Sequence, residues 1–186
     1  MTRLWLVRHG PPAIDPLVPA SRWPLSPAGQ EAVLAVRDAW ALPHDAVWRS
    51  SPEPKAHATA ELLRGRPVDV VDDLHEAVRP AVWHDADDFA SLVERSYAHP
   101  AQPAEPGWEP ADATRDRVAG AVRDLLAEGP EEMVLTGHGT AWTLLVAALT
   151  GAAPDRQAWR SLRMPDRCLL AVEGLTSATL VQGWGR

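Results

Sequence analysis

The chain has 186 residues, with 18 Lys and Arg against 25 Asp and Glu, giving a formal charge of −7. That length suits one domain around a single sizeable core, and the acidic balance excludes a nucleic-acid binder, which needs a basic face for the phosphate backbone. A small anionic substrate stays possible, because field focusing is a property of the cleft and not of the net charge.

Arg3–Val7 is a short apolar run that reads as a buried strand. A proline-rich loop, 11–24, follows. Ser26 then caps a helix with Pro27 at its first position, and Val33, Val36 and Trp40 keep helical spacing on one face. Ala46-Val47-Trp48 is the next strand. Ser50-Ser51-Pro52 after it reads as another cap-then-proline start, with Ala56, Ala60 and Leu63 on the inner side of the helix. Val68–Val71 is a third strand, and Asp85 caps a helix carrying Phe89, Leu92, Val93 and Tyr97. Four prolines make 99–111 an irregular loop; Asp112 opens a helix with Val118, Val122 and Leu125 aligned. Met133-Val134-Leu135 is a strand, Thr140–Leu149 an apolar helix, and 168–173 and 178–182 are the last two strands. Alternating strands and helices with no internal linker predict one α/β domain over 1–186: a three-layer α/β/α sandwich around a mixed, mainly parallel sheet.

The apolar run at the N-terminus is too short for a signal peptide, and Ala141–Leu149 too short for a membrane span. The expectation is a cytoplasmic protein without membrane or nucleic-acid partners; the sequence fixes no oligomeric state. The one cysteine, Cys168, sits in an apolar stretch and reads as a buried small hydrophobe. Nine tryptophans against one Phe and one Tyr read as core or pocket wall.

In a parallel sheet ligands sit outside the carboxyl ends of the strands. Two strand ends carry a His-Gly pair: Arg8-His9-Gly10 and Gly137-His138-Gly139. Glycine lets the backbone come close or turn with positive φ. A neutral imidazole is a competent nucleophile, and phosphoryl transfer demands little beyond positioning and charge stabilisation. Arg8 offers a charged fork for phosphate oxygens, His138 adds a donor when protonated, and the N–H groups of the helix starting near Thr140 are expected to face the same place. Lys55 falls in the first turn of a helix, where a cation opposes the macrodipole unless both face an anion. Glu76, just after the third strand, is placed to give a leaving group its proton. His44, His84 and His99 read as ordinary loop or surface histidines, His57 as either pocket or surface, and Asp85, Asp87 and Asp88 as helix-start acids.

With these residues in place, the sequence resembles the histidine phosphatase superfamily, the phosphoglycerate-mutase-like group. Leu6-Val7-Arg8-His9-Gly10 is similar to its signature, and Leu25-Ser26-Pro27-Ala28-Gly29-Gln30 to its first-helix start. Ser50-Ser51-Pro52 with Ala56, Thr59 and Ala60, then Leu74-His75-Glu76, then Gly137-His138-Gly139 follow in family order. The resemblance implies a small phosphatase acting on a phosphorylated metabolite without metal or cofactor. It implies His9 as nucleophile, Glu76 as proton donor and later base, and Arg8 and His138 as phosphate ligands. Lys55 and Gly139 are expected among the substrate-binding residues. Two departures stand out: Lys55 where the family usually has arginine, and Pro11-Pro12-Ala13-Ile14-Asp15 where it usually has a polar stretch with an asparagine. If Lys55 faces solvent instead, Arg22 and Arg79 are the next candidate cations.

Two other readings compete. One is a degenerate relative that binds phosphorylated ligands without turnover. The other is a metallohydrolase with His9, His138 and Glu76 as ligands, which Arg8 beside His9 disfavours by repelling a cation.

Overall fold

The first strand, β1, spans Thr2–Arg8 in the computed structural model, which describes residues 1–185. Its side chains alternate between two cores: Leu4 and Leu6 enter one, Trp5 and Val7 the other. The helix α1 (Pro27–Trp40) starts as expected, with the Ser26 hydroxyl accepting the Gly29 N–H and Pro27 at the first position. Strand β2 (Val47–Ser50), helix α2 (Pro54–Arg64) and the two-residue β3 (Asp69–Val70) come next, then α3 (Ala86–Ala98) and α4 (Ala111–Ala127). Strand β4 (Glu132–Gly137) leads into α5 (Gly139–Thr150), and a short α6 (Arg156–Ser161) precedes the hairpin of β5 (Asp166–Glu173) and β6 (Ser177–Gln182).

The six strands form one sheet in the order β3-β2-β4-β1-β5-β6. The first four run parallel, while β5 and β6 are antiparallel additions on the β1 side. Helices α1 and α2 bury Val33, Ala60 and Leu63 against one face; α4 and α5 bury Val118, Val122, Trp142 and Leu145 against the other. The expected three-layer, mainly parallel architecture is therefore present. Its consequence for chemistry is geometric: β3, β2, β4 and β1 all end on one edge, in that spatial order.

Three local expectations need correction. Helix α2 is not started by Ser51 and Pro52 but two residues later, with Glu53 at the N-cap and Pro54 at the first position. The Ser51 hydroxyl lies 2.7 Å from His138 Nε2 and accepts the Glu53 N–H at 3.2 Å, so it closes the turn before the helix rather than capping the helix itself. Helix α4 begins at Ala111 after Pro110, one residue before Asp112. The six-residue α6, capped by Asp155, is too short to show a periodic pattern. No helix among the described residues is long and apolar enough to cross a membrane. Cys168 is fully buried, and burial pushes its thiol well above the ordinary range, as befits a core residue. Trp5, Trp48, Trp108 and Trp142 are core, the last closing over Gly137, where an added Cβ would lie 2.5 Å from its ring.

Candidate active site

Each of the four parallel strands delivers one element of the site. His9 follows β1, and its N–H extends the ladder to Gly137 O at 3.0 Å. Because Arg8 pairs with Gly137 across the ladder, His138 follows β4 directly alongside. The two imidazoles lie 5.3 Å apart, edge to face. Neither Gly10 nor Gly139 has positive φ. Of the two roles glycine was given, close approach is the one realised: a Cβ at Gly10 would come within 2.8 Å of Val33 and 3.0 Å of Gly29 O, so α1 packs directly over the strand end. The Gly10 N–H donates to Thr59 Oγ1 at 3.1 Å, tying the same turn to α2.

His9 is 6 % exposed. Its Nδ1 lies 2.7 Å from Gly10 O. A carbonyl only accepts, so Nδ1 carries the hydrogen and Nε2 keeps its lone pair. Burial, with His138, Lys55 and Arg8 adding to it, holds the imidazole well below the usual histidine range, so the ring is neutral at pH 7. His138 is fully buried, and burial lowers it likewise, against the pull of Glu76. Its Nε2 sits 2.7 Å from Ser51 Oγ and 3.6 Å from Glu53 Oε1, and its Nδ1 has no partner. Protonated His138, the form that would add a donor for phosphate, is thus disfavoured in the free protein.

Both histidines line a cavity of about 360 Å³, together with Glu53, Lys55, Glu76 and Arg79. Lys55 is 5 % exposed, which removes the solvated-lysine reading. Its ammonium donates to Ala20 O at 2.7 Å and to the Glu53 carboxylate. Burial lowers its pKa and Glu53 opposes that shift. Glu53 is the principal residue that sequence reasoning missed. It supplies the anion that a first-turn cation calls for, and its other oxygen accepts the Glu76 N–H at 2.9 Å. The available signal was an acid two positions before that anomalous lysine.

Glu76 reaches the cavity from the segment after β3, but its carboxylate is also a helix cap. Oε1 accepts from Ala77 N and Ala141 N, both at 2.9 Å, and Oε2 accepts from Thr140 N at 3.1 Å. The α5 N–H groups of Thr140 and Ala141, expected to face a phosphate, are therefore spent on Glu76, since His138 at the N-cap offers no side-chain bond.

Arg8 and Gly139 are brought next to each other but not to the cavity wall. Arg8 Nη1 donates to Leu162 O at 2.9 Å and Arg163 O at 3.3 Å, and its Nε is buried without a partner. A Cβ at Gly139 would lie 3.3 Å from Arg8 Nε, so the glycine makes room for the guanidinium. Arg79 lines the cavity and has one buried, unpartnered nitrogen, whereas Arg22 lies exposed in a 3-10 turn. His57 turns away to Val68 O at 2.9 Å, and Asp85 caps α3 by accepting from Asp87 and Asp88. His75 also lines the cavity, its Nδ1 bonded to Glu76 O at 2.8 Å. Among the described residues no group of three or more His, Cys, Asp and Glu is arranged to hold a metal ion.

The sequence profile of the histidine phosphatase superfamily (branch 1) matches residues 4–185. No curated protein matches the sequence significantly. Among solved structures, Bacillus stearothermophilus YhfR is similar at 20 % identity, TM-score 0.75, covering 98 % of this chain and 96 % of that one. Mycobacterial glucosyl-3-phosphoglycerate phosphatase, complexed with VO3, is similar at 22 % identity, TM-score 0.74, covering 98 % of each chain. The alpha-ribazole phosphatase of Shigella flexneri is similar at 20 % identity, TM-score 0.70, covering 98 % of this chain and 96 % of that one. At these identities the likeness speaks to the fold.

Proposed function

The chain belongs to the histidine phosphatase superfamily, and from that premise we propose that it hydrolyses a small phosphate monoester without a metal, through a phosphohistidine on His9. The observation that carries this reading is the state of His9: a neutral ring with its hydrogen fixed on Nδ1 by Gly10 O, in a residue that lines the cavity. Nε2 attacks phosphorus, the P–N bond forms, and the P–O bond to the alcohol breaks. The departing oxygen takes a proton from Glu76. Oε1 of Glu76 already accepts two backbone N–H bonds and Oε2 only one. The mobile proton is therefore assigned to the free lone pair of Oε2. In the second half a water attacks phosphorus, Glu76 takes its proton, the P–N bond breaks, and phosphate leaves with His9 neutral again. The cations around the cavity, Lys55 and Arg79, and a His138 that gains a proton once the dianion is bound, stabilise the charge on the equatorial oxygens. Solved relatives with the same fold bear phosphatase names, which agrees with this activity.

One observation favours a second reading, a weak or inactive member that binds phosphorylated ligands: the Lys55 ammonium is already paired with Glu53. A single experiment separates the two. The purified protein, with chelator present, is expected to release phosphate from an aryl phosphate, and His9→Ala to abolish the release. A folded wild type that turns over no ester would support the binding module. Activity that appears only on adding zinc or manganese would point to metal chemistry instead.

A further inference from the structure

A second cavity, of about 300 Å³, opens beside the first, and the two share Ala20 and Arg79. Its walls are apolar and aromatic: Ile14, Trp23, Val82, Trp83, Phe89 and Trp108. Trp23 is held in place by its indole N–H, which donates to Asp15 O at 2.8 Å, and its ring lies 6.4 Å from that of Trp83. Ile14, Val82 and Trp83 are each more than half exposed. A cluster of apolar side chains left in water at one mouth is surface that a ligand would cover.

The polar groups on this wall are mostly engaged. Asp85 caps α3, and His84 Nε2 lies 3.0 Å from Glu105 Oε2 in a geometry that makes no hydrogen bond. Little is left to satisfy a ring of sugar hydroxyls. Arg79 is the guanidinium shared with the first cavity. Its guanidinium lies 4.6 Å from the Phe89 ring centroid and 5.6 Å from that of Trp108, which holds it at the junction of the two cavities, and Nη1 has no partner.

We propose that the second cavity is the leaving-group subsite and that it takes a planar aromatic alcohol, so that the substrate class is an aromatic phosphate monoester. The inference rests on the first cavity being the phosphoryl site. Arg79, stacked against two aromatic rings and lining both cavities, joins the two halves: its unpartnered nitrogen meets a phosphoryl oxygen while its stacked plane borders the aromatic portion. Pro11–Asp15, which departs from the family's polar pattern, brings Ile14 to this wall.

The test uses the full chain and compounds that are not hydrolysed. Binding of methylphosphonate and 2-naphthylmethylphosphonate is compared by calorimetry. The naphthyl compound is expected to bind about ten- to a hundredfold more tightly, the range that stacking of one planar ring system supplies. Trp83→Ala should remove most of that advantage and leave methylphosphonate affinity unchanged. Ile14→Ser, also at an exposed wall position, should reduce it as well, and serves if the first variant fails to fold. Equal affinities in the wild type, or an advantage that survives in both variants, would overturn the subsite. Tight naphthyl binding by a protein that hydrolyses no ester would leave the subsite standing and remove the hydrolase reading, so the two failures are distinct.

Discussion

Replacing Glu53 by glutamine isolates the pair that the first-turn lysine depends on. Glutamine keeps a carbonyl oxygen for the Glu76 N–H but puts an amide where Lys55 now finds a carboxylate. Both partners are only 5 % exposed, so the ammonium would be left buried with Ala20 O as its remaining acceptor. Breaking one half of a buried pair costs about 3–5 kcal/mol. In a domain of this size each kcal/mol lowers Tm by about 2–4 °C, so Glu53→Gln is expected to lose roughly 6–20 °C. Phosphate or vanadate in the cavity would supply the missing counter-charge, so added anion should raise the variant's Tm more than the wild type's. Adding Lys55→Met to Glu53→Gln removes the orphaned charge and should recover most of the loss. Thermal denaturation with and without phosphate measures all three. A Glu53→Gln variant within about 2 °C of wild type, or one that phosphate stabilises no better, would refute the account of Lys55.

Glu76→Gln should slow alkyl phosphates by about 10²–10⁴ but aryl phosphates far less, because an alkoxide needs the proton and a nitrophenolate does not; equal losses in kcat on both would move the donor elsewhere. Stability should fall as pH drops below about 6.5. His9 and His138 are held neutral in the fold, whereas their unfolded counterparts take up protons there, so each contributes up to about 1.4 kcal/mol per pH unit. His9→Gln should accordingly lose about 1 kcal/mol less than wild type between pH 6 and pH 5 in urea denaturation; parallel curves would mean that His9 is not buried neutral.

The layered fold was legible because local patterns and global burial agree. The alternation of Leu4 and Leu6 with Trp5 and Val7 reads directly as a strand with both faces covered. The His-Gly pairs were legible for a related reason: strand ends on a parallel sheet converge whatever the loops do. Lys55 announced itself by opposing a helix dipole, and the structure places it in the cavity wall. What stayed hidden depends on partners distant in sequence. The holding of Arg8 Nη1 by the Leu162 and Arg163 carbonyls depends on a segment with no sequence pattern, and it leaves Nε without a partner. The α5 N-terminus looks like an anion site until Glu76 arrives to fill it with a carboxylate of the protein's own. Glu53 was overlooked because Ser51-Pro52 mimics a helix start, whereas the Ser51 hydroxyl serves His138 and the Glu53 N–H in the turn before Pro54.

The central claim is a covalent bond between phosphorus and His9 Nε2. Mixing the enzyme with 32P-labelled aryl phosphate, quenching in base within one turnover and mapping the label tests it directly, since phosphohistidine survives base and hydrolyses in acid. The account predicts label on the peptide carrying His9, absent in His9→Ala and longer-lived in Glu76→Gln, where the water lacks its base. Turnover by the wild type with no labelled protein, or label retained in His9→Ala, would contradict it.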